Sequence, residues 1–320
     1  MEKIINKKVN ILILEKIFPL NLSNRLTKKI QIKDYSGISR KKYLDIIHNF
    51  QVIIIKSRTL VDNELITKAK NLRVIARAGV GVENIDIPLC NSKNIKLITL
   101  PGKNANSAAE FSISLALVGL RNINTAFNNT KSGYFDRFKL IGKELNEIKV
   151  GVLGYGNVGK LFVKKAIALG TKKIIVFDKD ISIYKTSEKI QFTKNLNFLL
   201  RSCDVISIHL PLNKFTKYLL NYKNLTHVKN NLILINTSRG GIVNDNDILK
   251  IIRIKNITYF LDVVSEEPNY ETKEKQKINK KFINNNKIFI TPHLAAITEN
   301  TQRNISNLLF KRIFNYFGIK

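Results

Sequence analysis

Polar side chains that could do chemistry follow three buried strands late in the sequence. They are Arg239 in INTSRGG, Asp262 and Glu267 in LDVVSEEP, and His293 in TPHLAA. The carboxyl ends of strands in an open α/β sheet border the ligand crevice, so these groups are expected at one edge of a sheet.

These residue types suit the oxidation of a 2-hydroxy acid. The planar fork of arginine matches a carboxylate, and histidine exchanges a proton near neutral pH. A carboxylate bonded to that histidine fixes its tautomer and raises its pKa. The prediction is therefore Arg239 as carboxylate anchor, His293 as acid/base and Glu267 as its partner. Surface ion pairs of Arg239 and Glu267 are the alternative.

A glycine-rich turn follows another strand. Residues 149–159 read KVGVLGYGNVG and place Gly154, Gly156 and Gly159 between a strand and a helix, the pattern of a dinucleotide site. A structural turn is the alternative for such a motif in isolation. Nineteen residues after Gly159, Asp178 ends the next strand, where a carboxylate accepts hydrogen bonds from ribose and disfavours NADP. NAD is the predicted cofactor; Asp180 is a second candidate for this carboxylate.

The elements that position these groups alternate between aliphatic strands and amphipathic helices. Strands without polar alternation are buried on both faces, which predicts parallel sheets in an α/β fold. The predicted strands are 9–15, 52–55, 74–77, 95–99, 149–154, 173–178, 205–210, 232–237, 259–264 and 287–292. A long helix is predicted over 106–123, with Ser107 and Glu110 at capping-box spacing, and another over 298–317.

Composition narrows the class of protein. The chain has 320 residues, a length typical of about two domains, and 44% are hydrophobic. Two cysteines suit a reducing, cytoplasmic location, and no apolar run approaches the ~18 residues of a membrane span. The net charge of +30 comes from lysines spread along the chain without a basic block. Neither nucleic acid nor a metal is a predicted partner.

Seven segments carry a resemblance to the D-isomer-specific 2-hydroxyacid dehydrogenase family over residues 73–320. They are RAGVGVENID (77–86), SAAE (107–110), VGVLGYGNVGK (150–160), DVISIHLPL (204–212), INTSRGGIV (235–243), LDVVSEEP (261–268) and TPHLAA (291–296). The resemblance implies two doubly wound parallel-sheet domains. A Rossmann NAD-binding domain, 101–291, is inserted into a flavodoxin-like substrate domain, 1–100 plus 292–320.

The resemblance also assigns roles to residues. It selects Glu267 over Glu266, because the family's carboxylate immediately precedes the proline. Asp262 is expected to hold the nicotinamide carboxamide. Other cofactor contacts are expected from Asn157, Val158, Leu210, Pro211, Thr237, Ser238 and Ala295, the last of which replaces the family's usual glycine. Gly79, Val80 and Gly81 are expected to offer N–H groups to the substrate carboxylate.

Within the family, the segment 77–86 is most similar to the branch that oxidises D-3-phosphoglycerate in serine biosynthesis. Arg77 would meet the phosphate there, or alternatively end a strand structurally. The chain ends soon after His293, which predicts a short form that serine does not inhibit. Other candidates are a glyoxylate/hydroxypyruvate reductase, a D-lactate dehydrogenase or an NAD-binding corepressor-like protein. A homo-oligomer, dimer or tetramer, is expected, with helix 106–123 at its interface.

Overall fold

The structure is a computed structural model that describes residues 8–18, 28–181, 184–265 and 278–319. Its described residues divide into two compact units. One contains those up to Asn104 together with those from Thr298 onward, and the second contains those from Ala105 to Ile297. The predicted inserted segment, 101–291, differs from the second unit by a few residues at each end.

The first unit has a five-stranded parallel sheet. Its strands are β1 (Val9–Ile13), β2 (Ile30–Asp34), β3 (Val52–Ile55), β4 (Val74–Arg77) and β5 (Lys96–Ile98), in the order β2-β1-β3-β4-β5. Its helices are α1 (Arg40–Ile46), α2 (Asn63–Lys68), α3 (Ile87–Ser92) and the C-terminal helix (Glu299–Tyr316). Every residue of β3 and β4 is buried, as expected for strands covered on both faces.

The second unit has a seven-stranded parallel sheet in the order β12-β11-β10-β9-β6-β7-β8. Its strands are β6 (Lys149–Leu153), β7 (Lys173–Phe177), β8 (Ile190–Thr193), β9 (Val205–Ile208), β10 (Ile233–Asn236), β11 (Thr258–Leu261) and β12 (Ile288–Ile290). Its helices are α4 (Ala105–Leu120), α5 (Ile123–Lys131), α6 (Asn157–Ala168), α7 (Leu196–Ser202), α8 (Tyr222–Leu225), α9 (Asp245–Lys255) and α10 (Lys280–Ile283). Short 3₁₀ helices cover Ile47–Asn49, Phe138–Leu140 and Leu145–Glu147.

Strand order places the ligand crevice of the second unit. Counted from β6, the chain adds β7 and β8 on one side and β9 to β12 on the other. This is the dinucleotide-binding order, in which ligands bind at the carboxyl ends of the strands where the direction of winding reverses. The crevice therefore lies at the ends of β6 and β9. The first unit has the flavodoxin-like order, so the predicted fold class is confirmed.

All ten predicted strand segments contain a strand, but two further strands were missed. They are β2 and β8, and each is one of the two edge strands of its sheet. Their sequences, IQIKD and IQFT, are partly exposed, so neither has the continuous aliphatic run that marks the inner strands. An edge strand pairs on one side only and needs less apolar surface.

The predicted capping box of the long helix is wrong. Helix α4 begins at Ala105, so Ser107 lies inside the helix and is buried instead of capping it. The carboxylate of Glu110 accepts from the Asn106 amide and pairs with the Lys165 ammonium of α6, at 2.9 Å each. Glu110 thus ties two helices together.

Within the described ranges, no helix combines the length and hydropathy that crossing a bilayer requires. The two cysteines, Cys90 and Cys203, are buried thiols. In the same ranges no cluster of His, Cys, Asp and Glu is arranged to hold a metal ion.

Candidate functional site

The glycine-rich turn joins β6 to α6, and each glycine has its own physical reason. Gly154 has φ of +98°, and a Cβ there would lie 2.6 Å from the His209 carbonyl oxygen at the end of β9. A Cβ on Gly159 would lie 2.0 Å from the Gly154 carbonyl oxygen, so the helix packs against its own turn. A Cβ on Gly156 would meet no protein atom within 4 Å. The open face at Gly156 suits a ligand that approaches the backbone closely.

The start of α6 can hold a pyrophosphate. Asn157 and Val158 form its first turn, where backbone N–H groups lack partners inside the helix and the helix dipole is positive. Leu210 and Pro211 follow β9, the strand next to β6 in the sheet. The turn therefore lies at the predicted crevice, with the described residues arranged to fit a dinucleotide.

Asp178 follows β7 beside the glycine-rich turn. One of its carboxylate oxygens accepts from the Tyr155 N–H at 2.6 Å, and the other accepts from the Asp180 N–H at 3.0 Å. The carboxylate is thus oriented at the turn and keeps lone pairs for a ribose. Asp180 is exposed and pairs with Lys179, which makes it the weaker candidate.

The loop after β10 is organised by Asn236, a residue that the sequence analysis did not single out. Its amide donates to the Arg239 carbonyl oxygen at 2.9 Å, and its oxygen accepts from the Ser238 N–H and hydroxyl. The buried Thr237 hydroxyl lies 2.7 Å from that of Ser112 in α4. Since the Ser112 hydroxyl donates to Ala108, Thr237 acts as the donor to Ser112.

Arg239 is half-buried in this loop, and its guanidinium donates to the Ser238 carbonyl oxygen at 2.7 Å. The sequence did not predict that the side chains of Asn236 and Ser112 hold this loop in place. A polar residue at the end of an aliphatic strand, as in LILIN, is the signal that could have identified Asn236.

Asp262 is fully buried at the end of β11 and binds the turn after β12. One oxygen accepts from the Thr291 hydroxyl at 2.6 Å and from the Leu294 N–H at 2.7 Å. The other accepts from the Ala295 N–H at 2.8 Å. Burial raises the pKa of Asp262, and these hydrogen bonds and nearby His293 oppose that shift.

His293 lies in this turn with φ of +56°, partly buried. Because residues 291–295 donate to Asp262, the turn belongs to the second unit, although 292–320 was assigned by sequence to the other domain. Strand order places β11 between β10 and β12, so the Arg239 loop and the His293 turn follow strands that lie two strand spacings, roughly 10 Å, apart.

One member of the predicted triad lies outside the part of the chain that the structure describes. It is Glu267, and Glu266 beside it lies outside as well. The roles of Arg239 and His293 and the pairing with Glu267 stay predictions.

The predicted substrate residues of the first unit follow β4. The Arg77 guanidinium is buried; its Nε donates to Asn84, and it lies 3.9 Å from a Glu83 carboxylate oxygen. It also lies under Gly79, where a Cβ would be 2.6 Å from it. The Gly79 N–H donates to the Arg77 carbonyl oxygen, which leaves the adjoining Val80 and Gly81 as the better candidate donors.

Known proteins resemble this chain in sequence. A family model described as the NAD-binding domain of D-isomer-specific 2-hydroxyacid dehydrogenases matches residues 113–295. A hydroxypyruvate reductase from Thermotoga maritima is 32% identical over 88% of this chain and 90% of its own length. A D-3-phosphoglycerate dehydrogenase from Archaeoglobus fulgidus is 32% identical over 89% of this chain but 53% of its own. The chain thus spans about half the length of that relative.

Solved structures share the fold. A D-lactate dehydrogenase from Aquifex aeolicus, complexed with NAD and lactic acid, superposes with a TM-score of 0.80 at 21% identity. The alignment covers 97% of this chain and 96% of that one. The TT0316 protein from Thermus thermophilus gives 0.80 at 22% identity, with 94% of each chain covered.

Proposed function

Because the chain belongs to the D-isomer-specific 2-hydroxyacid dehydrogenase family and is an NAD-dependent oxidoreductase, we propose that it oxidises D-3-phosphoglycerate to 3-phosphohydroxypyruvate. The observation that carries the chemistry is the anchoring of the Arg239 loop and the His293 turn at the ends of β10 and β12, on either side of Asp262. Relatives named D-3-phosphoglycerate dehydrogenase, at 28–32% identity, support this choice of substrate.

The cofactor is held by the second unit. The N–H groups at the start of α6 bind the pyrophosphate, and Asp178 binds the adenosine ribose. The rest of the cofactor site is lined by Thr237, Ser238, Leu210, Pro211 and Ala295. When bound, NAD supplies the acceptor for the hydride that leaves C2.

The side chains of Arg239, His293 and Glu267 act on the 2-hydroxy acid substrate. The Arg239 guanidinium binds the substrate carboxylate through two parallel hydrogen bonds and so fixes the orientation of C2. The imidazole of His293 takes the proton from the C2 hydroxyl, and Glu267 stabilises the resulting imidazolium. In the reverse direction the imidazolium returns that proton to the carbonyl oxygen.

Reduction of hydroxypyruvate or glyoxylate is the second candidate, and two observations favour it. The relative that matches over 90% of its own length is a hydroxypyruvate reductase. In addition, the Arg77 guanidinium already contacts Asn84 and Glu83, whereas a phosphate site would need that charge for the substrate.

A substrate panel tests the proposal. We would measure kcat/KM at 340 nm with NAD for D-3-phosphoglycerate, D-glycerate and D-lactate, and with NADH for hydroxypyruvate and glyoxylate. A preference of tenfold or more for D-3-phosphoglycerate over D-glycerate and D-lactate in the oxidation direction, on the order of the discrimination given by one extra charged contact, supports it. A preference for unphosphorylated acids contradicts it and supports the second candidate.

The second unit also has a surface suited to a homo-oligomer. Large apolar side chains are exposed between the end of α4 and β6; they are Phe127, Tyr134, Phe135, Phe138 and Ile141, from 65% to 90% exposed. Several large apolar side chains exposed within one short stretch of chain are what a protein interface would cover. The double change Phe135→Ser and Phe138→Ser should convert the oligomer to monomers in sedimentation; an unchanged sedimentation coefficient would contradict the assignment.

A further inference from the structure

The turn that carries His293 is not built by local sequence alone. Strand β12 ends at Ile290, and the chain passes through Thr291 and Pro292 to a histidine with φ of +56°. Left-handed backbone is uncommon outside glycine and costs free energy, so a contact from elsewhere must hold it.

The Asp262 carboxylate supplies that contact. Its three donors come from Thr291 on one side of His293 and from Leu294 and Ala295 on the other. The Asp262 N–H donates to the Asn236 carbonyl oxygen at 2.9 Å, so the backbone that carries the carboxylate is fixed to β10. The His293 turn is therefore held against the same strand end that orders the Arg239 loop.

Among the three donors, the Thr291 hydroxyl is the one that a side chain provides. The Leu294 and Ala295 donors are backbone N–H groups, which other residue types would also offer. The hydroxyl lies 2.6 Å from the carboxylate oxygen, a distance typical of a charge-assisted hydrogen bond. It also favours the ionised carboxylate, the form that can accept from all three donors.

We infer that Thr291 is a positioning residue of the reaction: its hydroxyl, bound to buried Asp262, holds the turn that presents the His293 imidazole. The inference rests on the proposed acid/base role of His293. Thr291 acts through the turn and makes no contact with the reacting atoms in this assignment.

The hydrogen-bond count predicts which kinetic constant responds. One Asp262 oxygen already accepts two bonds, whereas the other accepts one from the described residues and keeps a lone pair. That lone pair suits the nicotinamide carboxamide N–H, so loss of the Thr291 hydroxyl should leave NAD binding largely intact. Its effect should fall on the alignment of His293 and hence on kcat.

The test compares Thr291→Val with Thr291→Ser in steady-state kinetics. Valine keeps the shape and removes the hydroxyl, whereas serine keeps the hydroxyl. We expect Thr291→Val to lower kcat by about 10-fold to 100-fold, the cost of a misplaced catalytic group, with KM for NAD within about twofold. Thr291→Ser should restore most of kcat. If the valine variant does not fold, Thr291→Ala is compared with serine in the same way.

Two results would overturn the inference. One is a valine variant with unchanged kcat or with only KM for NAD raised, and the other is an equal loss of kcat in valine and serine variants. His293→Asn in the same assay separates the proposed acid/base role of His293 from the positioning role of Thr291. If His293→Asn keeps near-normal kcat, the proposed acid/base role is wrong; if it is inactive while Thr291→Val is normal, only the positioning role is wrong.

Discussion

The turn after β6 and the turn after β12 both follow a buried strand, but they obtain their backbone conformation differently. The first has φ of +98° at Gly154, and its glycines allow close approach both to the His209 carbonyl at the end of the neighbouring strand β9 and, at Gly159, to the Gly154 carbonyl. The second has φ of +56° at His293 and depends on Asp262, 29 residues before Thr291.

The difference separates two ways of building a site. Glycine accepts left-handed backbone without strain, so a glycine-rich turn carries its conformation in its own sequence. A histidine in the same region needs partners that the fold brings from another strand. The turn that carries the proposed acid/base group therefore depends on tertiary hydrogen bonds, while the glycine-rich turn depends on the absence of side chains.

The largest expected effect is on the imidazole of the second turn. His293→Ala should lower kcat by about 10²–10⁴-fold, because the proton acceptor is lost while NAD still binds. His293→Asn is the matched control for backbone strain, since asparagine tolerates positive φ. It should be equally inactive but more stable than alanine in urea unfolding. Near-normal turnover of either variant would contradict the assignment.

Alanine at two different glycines of the glycine-rich turn should have different effects on the free energy of unfolding. Gly159→Ala places a methyl 2.0 Å from the Gly154 carbonyl oxygen, so the turn must shift. We expect unfolding free energy to fall by about 1–3 kcal/mol, as in overpacking, and NAD affinity to fall at least about tenfold.

Gly156→Ala is the control, because its methyl meets no protein atom within 4 Å. We expect its unfolding free energy to stay within about 0.5 kcal/mol of wild type, with NAD affinity lowered by the methyl in the ligand's space. Calorimetric titration and urea unfolding measure both quantities. Equal destabilisation by the two alanines would show that the turn is not packed as described.

The carboxylate beside the glycine-rich turn should control cofactor choice. Asp178→Ala removes the acceptor predicted for the ribose hydroxyls, so NAD affinity should fall by about tenfold and the preference over NADP should narrow. Asp180→Ala, at an exposed side chain, is the control and should leave both unchanged. If Asp180→Ala narrows the preference for NAD over NADP and Asp178→Ala does not, the ribose contact belongs to Asp180.

A smaller effect concerns His209, next to the glycine-rich turn. Burial lowers the pKa of His209 to about 3, and its ring packs on Phe162 and contacts the Ser207 hydroxyl. Between its ordinary value near 6.5 and about 3, the unfolded chain binds a proton that the folded chain does not. Its contribution to stability is therefore present above about pH 6.5 and is lost progressively as pH falls.

His209→Gln removes this dependence. The unfolding free energy of wild type minus that of the variant should fall by up to about 1.4 kcal/mol per pH unit below pH 6.5. Urea unfolding at pH 8 and pH 5 measures it, and Ser207→Ala, which keeps the imidazole, should retain the wild-type slope. NAD affinity of the glutamine variant should remain close to wild type if the glycine-rich turn does not depend on the His209 imidazole. A large loss of NAD affinity would mean that this turn, like the His293 turn, relies on a side chain from another strand.

Sequence patterns located the inner strands and the glycine-rich turn well. Strands such as β3 and β10 are continuous aliphatic runs because both faces are buried. Edge strands β2 and β8 lack that run and were missed, and Ser107, which lies inside α4, was wrongly given a capping role. Propensity rules describe an element's own residues, whereas these boundaries depend on what packs beside them.

The division into two α/β domains came from the family resemblance, whereas the residue pattern alone predicted the parallel α/β class, the dinucleotide turn at Gly154–Gly159 and the candidates Arg239, Asp262 and His293. Each follows from local chemistry: glycine's missing Cβ, aliphatic burial, or a polar group at a strand end. The partners Asn236, Ser112 and Thr291 emerged from the fold, because sheet order makes neighbours of residues that are remote along the chain. Neither of the two stretches of sequence around such a pair of residues predicts the hydrogen bond between them.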